Sequence, residues 1–195
     1  MARYNASTSS ANLKKLMVAM LNYGTAVQMS YPAQGGTAYA NADLPAELQT
    51  MPNINDMNLT ASHSLPTSGT VKPSVIRMSF GDVVYFQVAV KGVDISKYEV
   101  RYTLSDDPTK EYIVPEEDFR VAGQYYGVAI AAKPLSMRLT YTIAFYDKTT
   151  GEKISLDTTT SIEACAKDHI GKATATMAAA MMAYGDATIA YVEST

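Results

Sequence analysis

The chain has 195 residues, of which 47% are hydrophobic and 18% are charged, so it can bury a core as one domain or two small ones and is too apolar for intrinsic disorder. The formal net charge of −3 excludes the strongly basic overall character of proteins that bind nucleic acid or an anionic membrane surface. The single cysteine, Cys165, excludes a disulfide framework and a cysteine-based zinc site.

The most weakly polar run of the chain is too short to cross a membrane. It covers residues 173–183 and consists largely of alanine, threonine and methionine, whereas a spanning helix needs about 20 apolar residues. Residues 1–10 are polar and lack the apolar run of a secretory signal. We therefore expect that this chain does not insert into a membrane and that it contains no signal peptide.

The first apolar pattern predicts a helix over residues 12–31. Its apolar residues recur at three- and four-residue spacing and form one stripe along the helix: Leu13, Leu16, Met17, Met20, Gly24 and Val27. Pro32 and the Gly35-Gly36 pair end the helix. Residues 33–68 then form a long, mostly irregular connection, with one short helical turn expected at residues 45–50.

The middle of the chain is rich in β-branched and aromatic residues, which predicts short strands separated by turns. The expected strands cover residues 74–80, 83–90, 98–104, 119–130 with a turn at Gly123, and 137–146. Gly81-Asp82 lies between the first two and indicates a hairpin. After a turn at residues 147–151, residues 152–156 are expected to pair back. Six or seven short strands with this spacing predict an antiparallel sandwich.

The last part of the chain returns to helical periodicity. A short amphipathic helix is expected over residues 160–170, and Thr160 with Glu163 forms a capping-box pattern at its start. A long helix is expected over residues 172–192. One stripe of that helix contains Met177, Ala180, Met181, Tyr184 and Thr188.

The two long helices share one internal repeat. Residues 19–26 and 180–187 both follow the pattern A-M-[LM]-x-Y-G-x-A. Glycine inside a helix costs roughly 0.5–1 kcal/mol relative to alanine, so we expect Gly24 and Gly185 to permit a close helix crossing, with Tyr23 and Tyr184 wedged beside it. The alternative is that each glycine ends or kinks its helix.

These elements predict an α+β fold in which an Ig-like antiparallel β-sandwich is bracketed by two related, mutually packed helices. Residues 1–69 supply the first helix and the long connection, and residues 70–157 supply the sandwich. Residues 158–195 supply the C-terminal helices, which pack on the first helix.

The two Tyr-Gly helices, together with Asn41-Ala42-Asp43-Leu44 after the first of them, carry a family resemblance. The chain resembles the Tyr-Gly helix and β-sandwich module of large exported cell-surface proteins of gut Firmicutes. That resemblance implies an extracellular or cell-surface setting and a structural or accessory role beside other modules. It implies no catalytic residues.

Tyrosine is the unusual residue of this sequence, with 14 tyrosines, four phenylalanines and no tryptophan. Tyr98 and Tyr102 share one face of an extended strand, whereas Tyr125 and Tyr126 point to opposite faces, so one of that pair is expected to face outward. An outward tyrosine row can stack on sugar rings or anchor a protein partner. The alternative is that these tyrosines fill a half-buried sheet.

Catalytic and metal-binding patterns are weak. The acidic clusters at Asp106-Asp107 and at residues 116–118 have the residue type of a glycosidase pair or a calcium site, but solvated turns are the favoured interpretation. His63 lies in a polar loop beside Ser64, and no nucleophile-elbow motif is present. We expect no catalytic residues, no metal and no cofactor.

The favoured function is that of a non-enzymatic structural or interaction module of a bacterial exported or cell-surface protein. Its partners are expected among other modules of the same protein or another protein, with self-association as a further possibility and with no nucleic-acid partner. The alternatives are a carbohydrate-binding module that uses an exposed tyrosine face, and a hydrolase accessory domain with an acidic site.

Overall fold

The computed structural model describes residues 11–30, 50–80 and 83–195. Their contacts divide them into two compact units. The described residues before 60 and those after 165 form a helical unit, and residues 60–165 form a β unit. The sandwich predicted for residues 70–157 lies inside the β unit. The predicted helical turn at residues 45–50 and the Gly81-Asp82 turn lie outside the described residues, apart from Thr50.

The helical unit is built on two antiparallel helices. Helix α1 is Ala11–Ser30, helix α2 is the short Ile162–Lys167, in which the chain passes from the β unit to the helical unit, and helix α3 is Ala175–Glu193. The Asn12 side chain donates a hydrogen bond of 3.1 Å to the Ala190 carbonyl, which joins the start of α1 to the end of α3. The predicted long helices are confirmed to within a few residues at each end.

The repeated tyrosines meet where α1 and α3 pack. The Tyr23 and Tyr184 rings are stacked with centroids 6.2 Å apart and planes inclined by 11°. Both residues are half-buried. Stacked aromatic pairs of this kind contribute about 0.5–1.5 kcal/mol beyond the area they bury.

The two repeated glycines differ in their surroundings. Among the residues that the structure describes, no atom outside α1 lies within 4 Å of a Cβ added at Gly24, so their packing does not require glycine there. The predicted close crossing is therefore wrong at Gly24. Gly185 is buried in α3, and its role at a crossing stays a prediction.

The centre of α3 is buried over a wider surface than its predicted stripe. Every residue from Met177 to Met182 is buried. A helix that is apolar all round is buried on all sides. Methionine and alanine suit such a position because alanine permits close packing and the flexible methionine side chain fills irregular gaps.

The described residues of the β unit form eight strands in two antiparallel sheets. The strands are β1 Pro73–Phe80, β2 Val84–Lys91, β3 Tyr98–Leu104, β4 Asp107–Ile113, β5 Phe119–Ala122, β6 Tyr125–Ala131, β7 Tyr141–Asp147 and β8 Thr158–Thr160. The first sheet has the order β1-β2-β6-β5, and the second sheet has the order β4-β3-β7-β8. The chain is therefore an α+β protein with two four-stranded sheets.

The two inner faces of the sheets meet in an apolar core. On β2, residues 84, 86, 88 and 90 are buried and alternate with half-buried residues, as a strand with one covered face requires. Phe86 of the first sheet contacts Tyr141 of the second edge to face, with centroids 4.9 Å apart. The Tyr141 hydroxyl reaches the Ser136 hydroxyl at 2.7 Å, so its polar end is satisfied inside the core.

The predicted strands are largely confirmed. Strands β1 and β2 pair as the hairpin expected around Gly81-Asp82. Strands β5 and β6 are joined through Gly123, whose φ of 60° is in the left-handed region that glycine adopts without strain.

One predicted strand start was wrong, one segment pairs through a single bridge, and one strand was missed. Strand β7 begins at Tyr141 rather than at residue 137, because a short 3-10 helix at Pro134–Ser136 leads into a turn. The expected pairing of residues 152–156 after the turn is confirmed as one antiparallel bridge, between Lys153 and Tyr146, although no strand forms there. Strand β4 was missed because it lacks an apolar alternation, and it tolerates Pro108 because it lies at a sheet edge.

The predicted capping box at Thr160 and Glu163 is also wrong. Thr160 belongs to strand β8, and the Ser161 hydroxyl accepts the Ala164 N–H at 2.9 Å at the start of α2. The Glu163 carboxylate instead accepts the backbone N–H groups of Thr60 and Ala61 at 2.6 and 3.0 Å.

Glu163 is the buried ionic contact of the β unit. Its side chain is 7% exposed and lies 3.1 Å from the Arg138 guanidinium. Burial raises the pKa of this carboxyl, but the two backbone N–H donors and Arg138 outweigh burial and hold the pKa below its usual value. Glu163 thus ties the first residues of the β unit to its last turn.

Candidate binding surface

Tyr98 and Tyr102 lie on the inner side of the second sheet. They share a strand face with Val100, which is fully buried. The Tyr102 ring stacks on Tyr112 at 5.1 Å and lies 5.6 Å from the Tyr141 ring. Burial raises the pKa of Tyr102, and the neighbouring Tyr112 adds to that rise. Neither tyrosine belongs to an outward row. Both fill a half-buried sheet, which was the alternative interpretation.

Tyr125 and Tyr126 divide between the two faces of the first sheet, as predicted. Tyr126 pairs with the buried Val90 and is half-buried on the inner face. Tyr125 pairs with Lys91 and lies on the outer face. Of the four tyrosines proposed as a binding row, Tyr125 lies on the outer face of the first sheet and borders a depression there.

That depression is a groove on the outer face of the first sheet, which we call the sheet groove. It is lined by Val75, Arg77, Gln87, Ala89, Arg120, Ala122, Tyr125 and Gly127. The lining residues come from all four strands of the sheet. The groove therefore runs across the strands rather than along one of them.

Strand register explains why a groove forms there. Val75 lies opposite Ala89, Ala89 lies opposite Gly127, and Gly127 lies opposite Arg120. Residues that face each other across strands share one face of the sheet. A row of short side chains thus makes the floor, and the row ends at Arg120.

Longer side chains from the neighbouring rows make the walls. Arg77 lies opposite Gln87 on one side of the floor. Tyr125 lies opposite Ala122 on the other side. The groove consequently combines an aromatic ring, an amide and two guanidinium groups around a floor without polar side chains.

Gly127 is required by the backbone at the centre of the floor. A Cβ at this position comes within 2.8 Å of the Val88 carbonyl oxygen and 3.0 Å of the Ala89 Cβ. The carbonyl is part of the sheet ladder and cannot move aside without disturbing it. The depth of the groove at this point is therefore built into the pairing of β2 with β6.

The acidic clusters are used in local hydrogen bonds and ion pairs. The Asp107 carboxylate accepts the Thr109 hydroxyl at 2.7 Å, and that hydrogen bond lowers the pKa of Asp107. Glu116 pairs with Lys148, whose hydrogen bond lowers the pKa of Glu116. These carboxylates are charged ends of turns, which agrees with the interpretation favoured from the sequence.

The histidine and cysteine of the β unit are joined through one threonine. His63 Nδ1 lies 2.7 Å from the Thr160 hydroxyl, and the same hydroxyl lies 3.9 Å from Cys165 Sγ. Cys165 is buried. Across residues 11–30, 50–80 and 83–195, no three histidine, cysteine or acidic side chains converge as a metal site.

The sequence interpretation found Tyr125 but missed the rest of the sheet groove. Arg77, Gln87 and Arg120 were not singled out because each is an ordinary exposed or half-exposed strand residue in its own segment. Alternation along each strand could have assigned them to the outer face. Their convergence depends on the strand order, which the sequence alone did not supply.

Comparisons with known protein families, curated proteins and solved structures found no match to this chain. No helix in the described part of the chain is both long enough and apolar enough to cross a membrane. The function is therefore argued from the geometry of the sheet groove and of the units that present it.

Proposed function

We propose that this chain is a non-enzymatic interaction module of an exported bacterial surface protein. Its scaffold is an Ig-like sandwich bracketed by the two Tyr-Gly helices, and its setting is extracellular. Its partner is a glycan, another module of the same protein or another protein. Self-association through the same surface is a further form of this function.

The sheet groove is the observation that carries this proposal. It is preformed by strand register, and its floor is held open by a backbone-required glycine at Gly127. Concave surfaces with a few convergent polar groups are the usual form of a ligand site. The groove provides binding groups and no arranged nucleophile or acid–base pair, which favours binding over catalysis.

The second candidate function is that of a carbohydrate-binding module. The position of Tyr125 supports it, because this residue can contact a glycan. A tyrosine ring presents an apolar face with a polar tip, and both suit a sugar ring. Gln87 lines the same groove on the other side of its floor, and the donor and acceptor of its amide suit sugar hydroxyls. These groups lie on strands, so they need little ordering when a ligand binds.

Binding of the whole chain to plant, mucin and bacterial cell-wall glycans tests this function. We expect the wild-type chain to bind at least one of these glycans, and we expect Tyr125→Ala to abolish that binding. Tyr126→Ala is the matched control, because Tyr126 is next in sequence but faces the core; it should lower thermal stability while the folded fraction still binds. Equal loss of binding in both variants, or no loss in either, would place the ligand elsewhere.

A negative result across the glycan panel leaves the protein-contact form of the proposal. Sedimentation equilibrium then measures self-association of the wild type and of Tyr125→Ala. A concentration-dependent dimer that this substitution weakens supports contact through the sheet groove. A strictly monomeric chain with no glycan ligand would contradict the sheet groove as an interaction surface.

A further inference from the structure

Charge is distributed unevenly over the first sheet. Its four strands β1, β2, β5 and β6 contain no aspartate and no glutamate, whereas the whole chain has 19 acidic and 16 basic residues. The same strands contain three cations, Arg77, Lys91 and Arg120. A chain with a net negative charge thus has one sheet that is free of carboxylates.

All three cations lie on the outer face of that sheet. Arg77 lies opposite Gln87, Lys91 lies opposite Tyr125, and Arg120 lies opposite Gly127. Gln87, Tyr125 and Gly127 all line the sheet groove, so their cross-strand partners share its face. Arg77 and Arg120 are themselves lining residues. The cations are therefore concentrated around one depression.

The second sheet provides the contrast. Its outer face contains Arg101, and this guanidinium is bound by Glu99 at 2.5 Å and by Glu111 at 3.4 Å. The positive charge of Arg101 is thus neutralised by its own sheet. On the first sheet, Arg120 has Asp118 at 3.6 Å, while Arg77 and Lys91 form no ion pair with any residue that the structure describes.

We infer that the sheet groove binds an anionic polysaccharide whose sugar units bear carboxylates, such as uronic or sialic acids. This inference rests on the proposed function and specifies its ligand. A guanidinium binds a carboxylate through two parallel hydrogen bonds, which supplies the recognition that a neutral glycan lacks. The Tyr125 ring contributes the stacking surface for the sugar ring.

The dimensions of the groove suit an extended polymer. Neighbouring strands lie about 4.8 Å apart, so the groove lining extends over about 14 Å across four strands. The groove encloses about 70 Å³, so a polymer lies over it rather than inside it. An extended peptide binds best along a free strand edge, where it finds backbone hydrogen bonds. The groove lies on a sheet face and offers side chains only, so it favours a glycan over an acidic peptide.

The first experiment compares carboxylated polysaccharides with an uncharged analogue. The whole chain is titrated with polygalacturonate, alginate, hyaluronan and polysialic acid, and with methyl-esterified polygalacturonate. We expect at least one carboxylated polymer to bind, with affinity that falls as salt is raised. We expect the methyl ester to bind about tenfold more weakly than its parent acid or not at all, because esterification removes the charged hydrogen bonds.

Arg77→Gln tests the charge assignment directly. We expect it to lower the affinity for the bound polymer about tenfold, as the loss of one charged hydrogen bond implies, and to leave the melting temperature unchanged. Arg101→Gln is the matched control on the other sheet and should leave binding unchanged. A reduction by Arg101→Gln equal to that by Arg77→Gln would overturn the inference.

Filling the groove provides a second test that does not alter charge. Ala122→Leu adds a larger side chain to the groove, and Ala131→Leu adds the same side chain to an exposed position at the end of β6, outside the groove lining. We expect binding to be lost in the first variant and retained in the second. Full binding by Ala122→Leu would overturn the inference.

The outcomes separate this inference from the proposed function. Binding of a neutral glycan that depends on Tyr125 would retain the interaction module and overturn the anionic ligand. Equal affinity for polyglutamate or for a single-stranded oligodeoxynucleotide would show general polyanion attraction and overturn the glycan assignment. No binding of any carboxylated polysaccharide would overturn the inference, whatever the wider glycan panel shows.

Discussion

Glu163 shows how one buried charge organises a loop without a helix cap. Its carboxylate lies among Thr60, Ala61 and Arg138, far apart along the chain and close together in the β unit. From the sequence, the S/T-x-x-E spacing assigned Glu163 to a capping box with Thr160. That assignment failed because Thr160 pairs as part of a strand, which leaves Ser161 to cap the helix.

Glu163→Gln should destabilise the protein by about 2–3 kcal/mol, because a neutral amide cannot replace the charged hydrogen bonds and leaves Arg138 without its counter-ion. Urea denaturation measures the change. Glu152→Gln is the control, since Glu152 is exposed, and it should have little effect. Equal stability of the two variants would contradict the role assigned to Glu163.

The stability difference between wild type and Glu163→Gln should also depend on pH. The pKa of Glu163 is lowered in the folded state from an ordinary value of 4.5, so its contribution is complete above that value. The contribution is lost as pH falls through the lower folded pKa, where the folded carboxylate takes up a proton. Denaturation curves at pH 7 and at successively lower pH should therefore converge; a difference independent of pH would contradict this.

At the scale of elements, the two Tyr-Gly helices carry the same sequence repeat and pack against each other. The Tyr23–Tyr184 stack realises the predicted tyrosine contact. The predicted reason for the glycines is not realised at Gly24, where an added Cβ is unobstructed. The shared motif therefore correctly indicated that the two helices pack together. The packing space around each glycine depends on the tertiary structure.

Gly24→Ala should stabilise the protein by about 0.5–1 kcal/mol, because alanine favours the helix and its methyl group meets no neighbour in the described part of the chain. Gly185→Ala is the paired test within the same repeat. If Gly185 lies at a close crossing, the substitution should destabilise the protein instead. Thermal unfolding measures both changes, and stabilisation by Gly185→Ala would contradict a close crossing at Gly185 as well.

Strand β4 illustrates what limited the strand prediction. Its residues are exposed apart from the half-buried Tyr112, so it has almost no apolar face to generate an alternation. Asp107 and Pro108 look like turn residues and were interpreted as such. An edge strand needs hydrogen bonds on one side only, and that requirement is not visible in hydrophobic spacing.

At the scale of the whole molecule, the net charge gave no indication of the cations on the outer face of the first sheet. The net charge of −3 argued correctly against a uniformly basic protein. It did not reveal that one sheet has cations without carboxylates, because the net charge of a chain does not specify where its charged residues lie. Assignment of Arg77, Lys91 and Arg120 to one face required the register of four strands.

The sandwich as a whole should lose stability at high pH through Tyr141. Burial raises the pKa of this phenol to about 12, against an ordinary value of 10.0. The folded state thus retains a proton that the unfolded state releases, so folding is favoured below pH 10 and progressively less as pH rises towards 12.

Tyr141→Phe isolates this effect. It should cost about 1 kcal/mol at neutral pH through loss of the Ser136 hydrogen bond, and it should flatten the stability profile above pH 10. Denaturation at pH 8 and at about pH 11 measures both effects. Tyr125→Phe is the control because Tyr125 is on the outer face, and it should have little effect on stability at neutral pH.

The sequence by itself determined the α+β class, the two long helices, most strands and the outward position of one residue of the Tyr125-Tyr126 pair. These features follow from periodicity and turn chemistry, which depend on neighbours along the chain. The tertiary structure decided which face each strand buries, which groups meet Glu163, and that four strands align small residues between arginines. Those features arise from register and strand order, because pairing brings together residues that no local pattern connects.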